Sequence, residues 1–184
     1  CFIVKPQGGQ RYDNLSKHGD GKLITSASQE DHTTTNRFAI VEEIPILWAF
    51  NKDIKKGDTV VVHHNVFKFY NDMKGRQKSG KSFFIDDLFF VDNQQFYMYN
   101  KNNKWHCHDK YCFVEPISVT ESYIHKPFAE EPLMGKMKYI NKTLQKYGVK
   151  EGDLVTFRPD TEYEFNVEGK KLYRMFDHHI TMVL

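Results

Sequence analysis

Residues 54–62 read IKKGDTVVV, and residues 149–157 read VKEGDLVTF. Each phrase starts on an apolar residue, passes through Lys to a Gly-Asp pair, and runs into a β-branched strand. The pairs are Gly57-Asp58 and Gly152-Asp153. Glycine reaches positive φ without steric cost, and an Asp side chain can bond nearby backbone, so Gly-Asp favours a turn. The alternation that follows, Val60 with Val62 and Val155 with Phe157, predicts a half-buried strand. Two such phrases, 95 positions apart, point to a duplicated unit.

The flanks extend the repeat. Upstream, FIVKP at residues 2–6 pairs with CFVEP at 112–116. Both read as short apolar strands stopped by Pro, which cannot donate to a ladder. Downstream, FVDNQQFYMY at 90–99 pairs with RMFDHHITMV at 174–183, so that Phe96 and Met98 match Ile180 and Met182. The three offsets are 110, 95 and 84. Copy one therefore carries a longer loop after its first strand and extra residues after its Gly-Asp strand, and surface loops tolerate both. The expected organisation is all-β, with a first domain at 1–105 and a second at 106–184.

Bulk properties exclude several classes. The chain of 184 residues carries a net charge of +2, which gives no argument for a polyanion, and no nucleic-acid partner is expected. No apolar run approaches the length of a membrane span, and no signal peptide is visible. The abundance of Phe and Tyr suits strands. Cys1, Cys107 and Cys112 cannot all pair, and they read as reduced thiols of a cytoplasmic protein. The chain starts with Cys rather than Met, so part of the natural start is expected to be missing.

In chain order, residues 7–35 are rich in Gly, Ser, Thr, Asp and Asn and read as a long mobile loop, interrupted by the apolar Leu23-Ile24. Those two residues are candidates for burial in a partner or against the protein itself. Residues 38–41 read as a strand. Residues 42–52, with Pro45 and Trp48, form an apolar excursion, either a hairpin or core. Residues 71–82 read as a polar turn between strands, and 83–91 and 95–99 as aromatic strands. Residues 100–110 link the copies. The loop at 117–134 carries Tyr123, Ile124, Pro127 and Phe128. Met137, Ile140, Leu144 and Tyr147 fit a helical stripe, whereas the repeat argues for a strand to about Ile140 and then a turn.

Four stretches look chemical. GRQKSGKS at 75–82 satisfies a phosphate-loop pattern in which Lys81 and Ser82 would serve phosphate and magnesium. That loop must open a helix, yet Phe83-Phe84-Ile85 is strand-like, so a basic hairpin tip is expected. HCHDKYC at 106–112 offers two His and two Cys but no second knuckle, so no metal site is expected. His63-His64 and His178-His179 each point at most one ring inward, because adjacent strand residues face opposite ways. No nucleophile and base can be assembled from their spacing, so no catalytic residues and no enzyme activity are expected.

The repeat resembles the GroES family of small co-chaperonins: a strand ended by Pro, a mobile loop, a strand, a K-x-G-D turn, a strand and a closing strand. Residues 149–184 are the most similar stretch, through Lys150, Gly152, Asp153, Val155, Phe157 and Met175. Copy one matches at Lys56, Gly57, Asp58, Val60 and Val62. The resemblance implies two tandem, partly open β-barrels and a homo-oligomeric ring that caps a large chaperonin ring. It implies no cofactor of the protein's own, nucleotide residing in the chaperonin. In that family a Gly-flanked apolar tripeptide of the mobile loop docks on the chaperonin. Gly21, Lys22, Leu23, Ile24 and Thr25 stand at the corresponding place, with Lys22 at the first apolar position. The aromatic first copy looks similar to divergent phage-encoded members. The alternative is that the same barrel serves as a structural or assembly module with no chaperonin partner.

Overall fold

The computed structural model describes residues 1–12, 15–18, 21–24, 35–46, 53–118 and 130–184. The chain divides into two compact units, Cys1–Lys104 and Trp105–Leu184. The division falls one residue before the boundary read from the repeat. It lies within a strand over Lys104–Cys107, so the stretch expected to be a plain linker is itself β structure.

The first unit contains β1 (Phe2–Pro6), β2 (Leu15–His18), β3 (Gly21–Ile24), β4 (Phe38–Glu43), β5 (Thr59–Val62), β6 (Phe69–Asn71), β7 (Gln77–Ser79), β8 (Phe83–Ile85), β9 (Leu88–Val91) and β10 (Phe96–Lys101). The strand at Lys104–Cys107 is β11. The second unit contains β12 (Tyr111–Ser118), β13 (Glu130–Tyr139), the short helix α1 (Lys142–Lys146), β14 (Leu154–Phe157), β15 (Tyr163–Val167), β16 (Lys170–Phe176) and β17 (Ile180–Val183).

The main sheet of the first unit includes the run β10-β5-β4-β1-β9-β8, and that of the second runs β17-β14-β13-β12-β16-β15. Numbered along the chain within each unit, both orders are 6-3-2-1-5-4. All pairings given for these strands are antiparallel, and neither sheet closes on itself. The registers correspond too. Val4 faces Val41 and Pro6 faces Ala39 in the first unit; Val114 faces Met137 and Pro116 faces Gly135 in the second.

The alternation seen in the sequence is the core. Phe2, Val4, Val41, Ile54, Val60, Val62, Val91 and Phe96 are buried together in the first unit. Their counterparts Cys112, Val114, Met137, Val149, Val155, Phe157 and Met175 form the second core, with Ile180 packed against it. A strand that buries every other residue cannot slip by one without exposing this whole set, so the hydrophobic pattern fixes the register.

Two expectations need correction. Pro6 does end β1, but Pro116 lies inside β12. The ladder shifts register between Pro116 and Ser118, and such an irregularity accommodates a residue that cannot donate. The turn expected after Ile140 is a helical turn. Asn141 caps it, its Oδ1 accepting from the Leu144 N–H at 2.9 Å, while its amide donates to the Asp109 carbonyl at 3.0 Å and to Asp177 at 2.8 Å. A buried Asn with its donors and acceptor satisfied in this way fixes the helix start.

Candidate functional site

The two Gly-Asp turns are built alike, bond for bond. Gly57 has φ of +91° and Gly152 of +93°. The Asp58 carboxylate accepts from the Lys55 N–H at 2.8 Å, and Asp153 accepts from the Lys150 N–H at 2.8 Å. The Gly57 N–H donates to the Val41 carbonyl and the Gly152 N–H to the Met137 carbonyl, at 2.8 and 2.7 Å. The turns thus set where β5 and β14 begin against β4 and β13.

Gly21, Lys22, Leu23 and Ile24 form β3, which pairs with β2: Leu15 faces Ile24, Ser16 faces Leu23, Lys17 faces Lys22, and His18 faces Gly21. This part of the long loop is therefore an antiparallel hairpin, not the structureless stretch expected. Thr25 lies outside the described residues, as do Trp48, Tyr123, Ile124, Pro127 and Phe128.

The extra residues after β5 make a two-stranded ribbon, β6 with β7. Its inner face is pinned by Arg11. The guanidinium lies 4.2 Å over the Phe69 ring and 4.5 Å over Phe89, and donates to Ser79 Oγ at 2.9 Å. Tyr12 adds a second tie, its hydroxyl accepting from the Phe69 N–H at 2.8 Å. Burial lowers the Arg11 pKa and raises that of Tyr12. The phosphate-loop pattern falls on this ribbon: Gly75 is in its tip, Gln77–Ser79 is β7, and Ser82 leads into β8. A strand follows where a phosphate loop would open a helix.

At residues 106–112, Cys112 is buried and its thiol donates to the Met175 carbonyl. Burial pushes its pKa up to about 12 and that of Cys107 well up also. Among the described residues no group of three or more His, Cys, Asp or Glu is arranged to hold a metal ion. The His63 and His64 rings sit 4.1 Å apart, and His63 Nδ1 accepts from the Asn65 N–H at 3.0 Å. His178 and His179 sit 4.4 Å apart, and burial, then the neighbouring His178, lower the His179 pKa.

In the second unit, Glu130 accepts from Lys171 at 2.9 Å and from the Tyr173 hydroxyl. Burial and then the Glu130 bond raise the Tyr173 pKa, and the bond to Glu130 raises that of Lys171. The network ties the start of β13 to β16. No helix among the described residues is long and apolar enough to cross a membrane.

The chain matches no family model and no curated protein.

Proposed function

We propose that the protein is a cytoplasmic co-chaperonin-like cap: two tandem GroES-like, partly open barrels that assemble into a homo-oligomeric ring and cover a large chaperonin. The observation that carries the reading is the repetition of one six-strand order, 6-3-2-1-5-4, with one Gly-Asp turn geometry, in both units. That repetition supports a duplicated domain. The Gly-Asp phrase inside it is what resembles the co-chaperonins. The docking segment in this reading is Gly21, Lys22, Leu23, Ile24 and Thr25, and the protein brings no cofactor of its own.

Its chemistry is hydrophobic capture. Leu23 and Ile24 enter an apolar groove of the chaperonin, and several copies per ring raise a modest single-site affinity through avidity. A hairpin that is already paired loses less conformational freedom on docking than a free coil would. The same pairing also favours a second reading, in which β2 and β3 are part of a rigid structural or assembly module with no chaperonin partner.

Co-sedimentation with a large chaperonin in the presence of ADP or ATP separates the two. Nucleotide-dependent binding that disappears in the Leu23→Ala, Ile24→Ala double variant supports the cap. A folded, ring-forming protein that binds no chaperonin under any nucleotide condition supports the assembly module.

A further inference from the structure

The net charge of +2 hides a local concentration. Residues 63–82 hold five basic side chains, Lys68, Lys74, Arg76, Lys78 and Lys81, against one acid, Asp72. The corresponding connection in the second unit, residues 158–162, reads RPDTE. The basic segment is thus special to the first unit, and it is the β6–β7 ribbon with its flanks.

The ribbon has two faces. Phe69 faces Ser79 across the strands, and Arg11 holds both. Tyr70 faces Lys78 across the strands. Side chains alternate along a strand, so Tyr70 and Lys78 share the other face. Tyr70 is 48% exposed there. Beside it lies a cavity of about 450 Å³, lined by Lys68, Tyr70, Lys81, Asn65, Ser82 and Gln95 among others. No carboxylate lines it. Lys78 is paired with Asp72 at 3.4 Å, but Lys68 and Lys81 make no ion pair among the described residues. Gln95 donates to Ser82 Oγ at 3.4 Å on the cavity wall.

We propose that this groove binds single-stranded nucleic acid, one base stacking on the exposed Tyr70 ring while Lys68 and Lys81 meet the adjoining phosphates. An accessible aromatic face flanked by unpaired cations is the chemistry that such strands require. The cavity is the size of a site for one small ring system. Duplex bases are already stacked on one another and cannot offer a face to Tyr70. Asn65, Ser82 and Gln95 supply polar groups for base edges without a pattern that would select one sequence. The proposal is independent of the chaperonin reading.

The test is fluorescence anisotropy with a labelled oligothymidylate at about 50 mM salt, where phosphate contacts are strongest. The intact protein should bind. Tyr70→Ala should weaken binding about tenfold or more, and Tyr70→Phe, which keeps the ring, should retain it. Replacing Lys68 and Lys81 together by Ala should reduce the slope of log K against log salt by about 1.4, the value for two phosphates of a single strand. The pair Lys142→Ala, Lys146→Ala, in the second unit, should change little. All these side chains except Lys68 are exposed, and circular dichroism checks that each variant is folded. The proposal is overturned if the intact protein fails to bind at low salt. It is equally overturned if Tyr70→Ala binds as well as the parent, or if a duplex of the same length binds as tightly as the single strand.

Discussion

Adding a single methyl group at Gly135 should unfold the second unit preferentially. Gly135 faces Pro116 across β12 and β13. Its φ is not in the left-handed region, so alanine meets no backbone strain there. The obstacle is space. A Cβ at this position would lie 2.2 Å from Val114 Cγ1 and 2.8 Å from the Glu115 carbonyl oxygen. Favourable carbon contacts begin near 3.5 Å. Val114 is fully buried in the core, and the carbonyl belongs to the strand that the glycine packs on. Overpacking of a tight core costs about 1–3 kcal/mol. With two poorly yielding neighbours, Gly135→Ala should sit at the upper end, about 3 kcal/mol, more than a hundredfold in the unfolding equilibrium. For a unit of this size that lowers Tm by about 12–24 °C. Ala39 occupies the equivalent register position opposite Pro6 and is fully buried, so the first unit houses a methyl at the position where the second has none. Scanning calorimetry, with hydrogen exchange to locate the change, should show the second unit melting early while the first is unaltered. A Gly135→Ala protein within about 0.5 kcal/mol of the parent would refute the close-packing argument.

The two Gly-Asp turns should be equally fragile: Gly57→Ala and Gly152→Ala force alanine to φ near +90° and should each cost about 1–2 kcal/mol. The two losses in urea denaturation should agree within about 0.5 kcal/mol if the turns are equivalent. The thiols should separate by burial. Cys1 is exposed and Cys112 buried, so Cys1 should react with Ellman's reagent at pH 8 in the native protein, Cys107, of intermediate exposure, more slowly, and Cys112 only after unfolding. Because the Cys112 pKa stands at about 12 when folded, against 9.0 for a free thiol, the unfolded chain loses that proton first on raising pH. Stability should therefore fall between about pH 9 and 12, a loss that Cys112→Ala should reduce.

The fold was legible where one residue type had one physical job. Gly57-Asp58 and Gly152-Asp153 marked turns because no other pair meets the same backbone demand so cheaply. The alternation of Val60 with Val62 and of Val155 with Phe157 marked which face would be buried. Four features were not legible. Pro116 looked like a strand end, because a local reading does not see that the ladder changes register beside it. The capping role of Asn141 depends on Asp109 and Asp177, which lie 32 and 36 residues away. Leu23-Ile24 was legible as an apolar island in a polar loop, but the pairing of β3 with β2 was not, because the surrounding Gly, Ser, Thr, Asp and Asn read as loop. The basic hairpin tip at residues 75–82 was legible, but the groove beside Tyr70 was not, because Asn65 and Gln95 reach it from outside the ribbon.

The unequal connections of the two units bear on how the chain folds. Joining β1 to β4 closes a loop over residues 7–37, while the equivalent joining of β12 to β13 closes one over residues 119–129. Joining β5 to β10 likewise spans residues 63–95, against 158–179 for β14 and β17. Loop closure costs entropy that grows with the logarithm of length, so together these differences amount to about 1 kcal/mol against the first unit. If that cost is met before the sheet's contacts form, it slows the first unit's assembly by several-fold. On refolding of the whole chain from denaturant, the second unit should then reach its native strand order first, and the first unit should spend the interval with its strand edges uncovered.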